Sequence, residues 1–181
     1  GTLIESIAIG SNPCLPIAVF SGNSAVTIGS TGPSCNGSSV DPLFQQMYPV
    51  SSWGKNFGFI PFGDYTTRGN PYRVMASEDN TTIQVFGYDP SIVFRKGSVY
   101  NGITDDSYSI TLDKGESFVF EYPIYENLIY SSTKVYDEWL GASIVSDKDI
   151  VVSIGNAMYA PIAGGGRDIA IDQIIPENVL G

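Results

Sequence analysis

Short apolar runs separated by turn residues recur along the whole chain. The runs are four to six residues long and rich in Val, Ile, Tyr, Phe and Thr. These lengths and the β-branched content are typical of strands, because a helix usually keeps its periodicity for about ten residues or more. Strands are predicted at residues 6–9, 17–20, 57–60, 72–76, 82–86, 109–112, 117–122, 142–145 and 150–154.

The segments between the runs favour antiparallel hairpins. Residues 78–81, 112–115 and 146–149 place Asp, Asn or Gly where a hairpin would turn, since these residues tolerate positive φ. The predicted fold class is all-β, an antiparallel β-sandwich of short strands, with a propeller-like array as the alternative. A short helix or structured loop is expected at Asp41–Gln46, where an N-cap residue precedes a proline.

An internal repeat organises the chain. A four-residue frame occurs twice at the same spacing, as Asp41, Gln46, Pro49 and Gly54 and again as Asp168, Gln173, Pro176 and Gly181. Upstream of the frame, residues 17–23 match residues 150–156, and Ser6-Ile7 matches Ser143-Ile144. Because both copies would need the same corner, we interpret the frame as architectural.

The repeat also sets the expected boundaries. Its length is 127 residues, measured from Gly54 to Gly181. Residues 1–54 are the predicted tail of one unit, and residues 55–181 are one complete unit. Neighbouring units of such arrays bury each other's surfaces, so the two parts are expected to form a single compact body.

Charge and length limit the partners. The 181 residues carry nine Lys and Arg against nineteen Asp and Glu, a formal net charge of −10. Such an excess repels phosphate backbones and anionic lipid, so no nucleic acid partner is expected. No apolar run reaches the length of about 18 residues that a membrane helix needs, and no membrane insertion is expected.

The absence of histidine restricts the chemistry. It removes Ser-His-Asp and Cys-His machinery and the commonest zinc ligand, so we expect no enzyme, no cofactor and no metal site. A glycosidase carboxylate pair and a calcium site remain as alternatives. Ordinary turn chemistry is favoured over calcium for the candidates, which are Asp105, Asp106, Asp113, Asp147 and Asp149.

The two cysteines flank a segment rich in Gly, Ser and Thr. A disulfide between Cys14 and Cys35 would restrain this segment. The even number of cysteines and the low charge are typical of extracellular proteins. We therefore favour a bridge between them, with two unrelated buried thiols as the alternative.

Aromatic residues give the best binding hypothesis. Trp53, Tyr65 and Tyr72 surround an irregular segment rich in Gly, Pro and Asp, with Arg68 nearby. Trp, Tyr and Arg dominate the energetics of many interfaces, so these four residues form the predicted binding site. The alternative is that some of the aromatic side chains belong to the core.

Several of these strings occur together, and in order, in a known family. The IgGFc-binding protein N-terminal domain family has patterns that resemble residues 16–23, 41–46, Pro49, 53–55 and 73–83. Residues 165–176 resemble the form found in large secreted proteins of Bacteroidetes-type bacteria. The resemblance implies a secreted or cell-surface protein whose repeated β modules serve adhesion or ligand capture. It assigns no binding residue here.

These observations predict a non-catalytic extracellular or cell-surface module for binding or adhesion within a larger protein. A carbohydrate-binding domain and a purely structural spacer are the alternatives. The expected partners are a protein or glycan ligand on another surface and the neighbouring repeat units of the parent chain.

Overall fold

The computed structural model describes residues 4–26, 41–59, 72–88, 94–96, 99–101, 107–120, 141–159 and 168–177. The strands are β1 (Phe20–Val26), β2 (Asp41–Gln46), β3 (Gly54–Gly58), β4 (Tyr72–Ala76), β5 (Thr81–Phe86), β6 (Phe94–Lys96), β7 (Val99–Asn101), β8 (Ser107–Leu112), β9 (Ser117–Phe120), β10 (Ser143–Tyr159) and β11 (Asp168–Ile174). A 3-10 turn covers Val50–Ser52. All strand pairs are antiparallel, which confirms the predicted all-β class.

The long strand β10 is shared by two halves of one seven-stranded sheet. Its first part, residues 143–146, lies between β3 and β5, and β8 extends this half beyond β5. Its second part, from Ile150 onward, lies between β4 and β11, and β9 extends this half beyond β4. The register of β10 shifts between Val145 and Ile150, and the sheet curls into a half-barrel.

The core lies on one face of this sheet. Every second residue of β4 and β5 is buried, as expected for strands with one covered face. Burial of each large aliphatic or aromatic side chain contributes roughly 1.5–3 kcal/mol. The largest fully buried side chains are Tyr72, Phe57, Phe120, Ile83, Ile144, Ile150, Val74, Val85 and Val152.

The three segments predicted as hairpin turns are crossovers between the two halves, so the hairpin prediction is wrong. β4 and β5 do not pair with each other, because they pair with successive parts of β10 along the same side of that strand, and β8 and β9 pair in turn with β5 and β4. The turn residues still have the expected conformations, since Asn80 and Gly115 have positive φ. The chain therefore passes from one half of the sheet to the other three times at one corner. It does so between β4 and β5, between β8 and β9, and within β10.

Reciprocal hydrogen bonds join two of these crossovers. Asp79 Oδ1 accepts the backbone N–H of Lys114 at 3.0 Å, and Asp113 Oδ1 accepts the backbone N–H of Asn80 at 3.0 Å. The backbone adds two more bonds. The carbonyl of Ala76 accepts the N–H of Gly115, and the N–H of Ala76 donates to the carbonyl of Glu116. Carboxylates bonded in this way replace water for otherwise unpaired turn amides.

The third crossover, within β10, joins the same network. Asp147 Oδ1 accepts the backbone N–H of Thr82 at 2.8 Å. The ammonium of Lys148 donates to the carbonyl of Asp79, and Ser77 Oγ donates to the carbonyl of Asp149 at 2.6 Å. The acidic residues of this corner therefore act as acceptors for the backbone and side chains of adjacent turns.

Two other local predictions are corrected. The segment Asp41–Gln46 is strand β2 rather than a helix, because pairing with β1 supplies the hydrogen bonds that an isolated helical turn would need. The segment 6–9 is not a strand, since its only ladder contact among the described residues is a single bridge from Ile9 to Asn12 around Gly10.

The two segments predicted as repeat copies form hairpins of the same register. Phe20 pairs with Gln46 in β1–β2, and Ser153 pairs with Gln173 at the aligned positions of β10–β11. Both ladders have a register shift three residues further along, after Asn23 and after Asn156. The second strand of one hairpin, β2, lies against the second strand of the other, β11.

Candidate functional site

Exposed apolar side chains concentrate in the first of the two segments predicted as repeat copies. Of twelve large hydrophobic residues that are exposed within the described part of the chain, nine lie between residues 4 and 50. They are Ile4, Ile7, Ile9, Leu15, Ile17, Phe20, Phe44, Met47 and Val50, and together they form what we call the N-terminal apolar surface. Exposed apolar groups of this kind mark interaction sites when they are contiguous.

Two aromatic rings dominate one face of the β1–β2 hairpin. The rings of Phe20 and Phe44 stack at an interplanar angle of 13°, with their centroids 5.4 Å apart. Phe44 is 72% exposed. Its ring lies over Gly22, where a Cβ would come within 2.4 Å of Phe44 Cδ2. The absence of a side chain at Gly22 therefore positions Phe44 flat on the hairpin.

This aromatic pair is specific to the first hairpin. The second hairpin has the same register, but it carries Ser153 and Ile171 at the positions of Phe20 and Phe44. The hairpin fold therefore does not require two phenylalanines. A stacked, exposed pair that the fold does not require is a candidate contact for a ligand.

The corner after β2 connects the two copies. Tyr48 donates its backbone N–H to Oε1 of Gln173 at 2.8 Å, and its carbonyl accepts the indole N–H of Trp53 at 3.4 Å. Gln173 is buried, whereas the aligned Gln46 is exposed. The side-chain amide of Gln173 therefore bridges the two predicted copies, whereas the aligned Gln46 is exposed.

The other frame residues show a similar asymmetry. Pro176 is buried and Pro49 is exposed. Asp41 and Asp168 occupy the same ladder position in their hairpins, opposite Val26 and Tyr159. Gly54 begins β3, while Gly181 lies outside the described residues.

The predicted binding site of Trp53, Tyr65, Arg68 and Tyr72 is not assembled among the described residues. Tyr72 is fully buried in the core, so its assignment to a binding surface is wrong, and burial raises the pKa of its hydroxyl. The alternation of β4 points its side chain inward, together with Val74. Trp53 is half-buried and bonded to the corner. Tyr65 and Arg68 lie outside the described residues.

The predicted disulfide is not confirmed. Cys14 is an exposed, free thiol in the structure, and Cys35 lies outside the described residues. The calcium candidates Asp113 and Asp147 use carboxylate oxygens for backbone amides at the corner of the sheet. Within the described ranges, no group of three or more acidic or cysteine residues is arranged to hold a metal ion.

Phe20 and Phe44 are not among the binding residues predicted from the sequence. Phe44 lies in the segment taken for a short helix, and Phe20 ends a predicted strand. The useful signal was the alignment of the two copies, in which both phenylalanines stand opposite residues of another type, Ser153 and Ile171. Differences between otherwise matching copies identify positions that the shared fold does not determine.

Comparison with known proteins gives one family. The profile of the family described as IgGFc binding protein matches residues 1–101 and residues 73–181, which together span the chain. No curated protein and no solved structure matches the chain significantly. No helix of the described part is long and apolar enough to cross a membrane. The Bacteroidetes-type origin stays a prediction. From the extent of the profile match, the chain belongs to the IgGFc binding protein family.

Proposed function

We propose that the chain is a non-catalytic extracellular module that binds a protein ligand through the stacked pair of Phe20 and Phe44. The observation that carries this proposal is the exposure of the pair on a hairpin whose second copy lacks it. Aromatic side chains supply large contact areas at a low entropic cost, because few of their torsions must be fixed.

Family membership supports an extracellular setting and a protein ligand. The family is described by binding of the Fc part of immunoglobulin G, which makes Fc the first ligand to test. The net charge of −10 favours a ligand surface with basic groups around an apolar centre. We propose that this module contributes to adhesion as part of a larger surface protein.

The experiment measures binding of the full chain to immobilised immunoglobulin G Fc, with Fab as the control ligand. Phe20→Ser and Phe44→Ile introduce the residues of the second hairpin, so they preserve the hairpin while removing the aromatic pair. Each is expected to weaken binding about tenfold or more. Phe86→Ser, at an exposed phenylalanine on β5, is the matched control and should leave binding unchanged. Equal effects of all three would contradict the assignment.

A glycan ligand is a second candidate. The two rings are nearly parallel, and flat exposed aromatic faces also stack on sugar rings. A glycan array probed with the wild-type chain and with Phe44→Ile distinguishes the candidates. Binding to a glycan that Phe44→Ile abolishes, without binding to Fc, would assign the pair to carbohydrate. Binding to neither ligand class would favour the structural spacer.

A further inference from the structure

Among the described residues, the first hairpin has an edge without a partner strand, whereas the equivalent edge of the second hairpin is paired. β10 pairs on both sides, with β4 on one and β11 on the other. Its counterpart β1 pairs only with β2 among the described residues. The opposite edge of β1 therefore presents backbone N–H and C=O groups that can pair with another strand.

Two side chains that precede β1 in sequence are exposed where their aligned counterparts are buried. Ile17 is 53% exposed, and the aligned Ile150 is fully buried. Ile7 is 67% exposed, and the aligned Ile144 is 1% exposed. The sequence keeps apolar residues at these positions, although no described part of the chain covers them. A covering element is therefore expected.

We propose that β1 and the residues leading into it pair with a strand equivalent to β4. A module of the same kind, which precedes this one in the parent polypeptide, supplies that strand. This inference goes beyond the proposed function, because it uses the edge of β1 and the face that carries Ile17 and Val19. The ligand pair, Phe20 and Phe44, lies on the opposite face of the hairpin.

The register of the missing strand follows from the complete copy. In β10, Ile150 pairs with Ala76, Val152 with Val74, and Ile154 with Tyr72. The equivalent positions in the first hairpin are Ile17 and Val19, which directly precede β1, and Ser21 in β1. The incoming strand therefore places its Ala76-type residue opposite Ile17 and its Val74-type residue opposite Val19.

The order of the chain identifies the source. β4 precedes β10 in sequence, so the equivalent partner of β1 precedes β1. A second copy of this chain is a poor source, because its own β4 is already paired on both sides, with β10 and β9. The family profile matches residues 73–101 in both of its overlapping segments, which agrees with repeated use of one pattern.

The experiment extends the full chain by placing a second copy of residues 54–142 directly before Ser6, the residue that aligns with Ser143. Hydrogen–deuterium exchange is measured at the amides of residues 17–21 and 150–154. Exchange at 17–21 is expected to slow by at least about tenfold in the extended chain, towards the rate at 150–154. Unchanged exchange at 17–21, with 150–154 protected and the module therefore folded, would overturn the proposal.

Two substitutions provide a matched comparison. Ile17→Asp should lower Tm in the extended chain and leave Tm unchanged in the original chain, where this side chain is exposed. Leu15→Asp should be neutral in both chains, because Leu15 aligns with Lys148. Phe20→Ser should leave the protection of residues 17–21 unchanged, which separates this proposal from ligand binding. Equal effects of Ile17→Asp and Leu15→Asp in the extended chain would contradict the proposed strand pairing.

A peptide of residues 70–79, added in excess to the unmodified chain, tests the same pairing without the extension. Amide chemical shifts are expected to change at residues 16–22 in the wild type and not in Ile17→Asp. If the extended chain fails to fold, the peptide experiment alone tests the proposed pairing. The absence of shifts in the wild-type chain would then reject the proposal.

Discussion

The backbone N–H of Tyr48 donates a hydrogen bond of 2.8 Å to the side-chain oxygen of Gln173, which lies 125 residues away in sequence. This bond fastens the corner of the first repeat copy to β11 of the second. Because Gln173 is buried, the bond is shielded from competing water. The position of the first hairpin therefore depends on a polar contact as well as on apolar packing.

Replacing Gln173 by alanine should loosen this contact. The Tyr48 amide loses its acceptor, and an unpaired, partly buried donor costs about 1–3 kcal/mol. Gln46→Ala is the matched control, because the aligned glutamine is exposed and should tolerate the change. Urea unfolding measures the free energy of both variants. Equal losses of stability would mean that the amide bond does not hold the two copies together.

The Phe44 ring depends on the glycine beneath it. Gly22→Ala would place a Cβ 2.8 Å from the carbonyl oxygen of Leu43, in addition to its clash with the ring, so the hairpin must shift. We expect a loss of about 1–3 kcal/mol, as for other overpacked sites, and weaker binding through Phe44.

Gly58→Ala is the control for this change. A Cβ at Gly58 would meet only Glu177 Oε1, at 3.5 Å, which is ordinary contact. Its unfolding free energy should remain within a few tenths of a kcal/mol of the wild type or rise slightly. If Gly22→Ala were equally neutral, the close approach of the Phe44 ring would not be required.

Strand positions in the core could be predicted because alternation is a local property. The runs at 72–76 and 82–86 become β4 and β5, with every second side chain buried. The partners of these strands could not be predicted. Turn residues report that the chain changes direction, and the same Asp, Asn and Gly residues serve a hairpin or a crossover. The placement of β4 and β5 one after the other along the same side of β10 is set by pairing over a long sequence separation.

The candidate site was harder to predict for a related reason. Tyr72 and Phe44 both lie in strands, and exposure depends on which face the assembled sheet covers. The capping signal of Asp41 favoured a helix, but pairing of β2 with β1 overrode it. The repeat alignment carried more information, because the same register appears in both hairpins.

The carboxylate of Asp147 accepts the hydrogen bond that links the bend of β10 to β5. Asp147→Ala removes the acceptor of the Thr82 N–H, and we expect a loss of about 1 kcal/mol, since this amide is exposed and water can replace the carboxylate in part. Asp149→Ala is the control, because Asp149 contributes its backbone carbonyl, which alanine retains. Thermal unfolding of both variants tests this. A larger loss for Asp149→Ala would show that its side chain is the more important one.

Ionisation of Tyr72 is expected to make the folded core less stable at alkaline pH. Desolvation raises the pKa of its hydroxyl in the folded state far above the value of about 10 that it has when unfolded. The unfolded chain therefore releases this proton first as the pH rises. The stabilising contribution is fully present below pH 10 and declines above it, as the sign of proton linkage requires.

Tyr72→Phe should abolish this dependence, because phenylalanine fills a similar volume and has no proton to release. We expect the midpoint of alkaline unfolding, followed by tryptophan fluorescence, to move to higher pH in this variant. Tyr108→Phe is the comparison: burial also raises the pKa of Tyr108, but this side chain is only partly covered and its effect should be smaller. If both variants unfolded at the pH of the wild type, ionisation of Tyr72 would not limit alkaline stability.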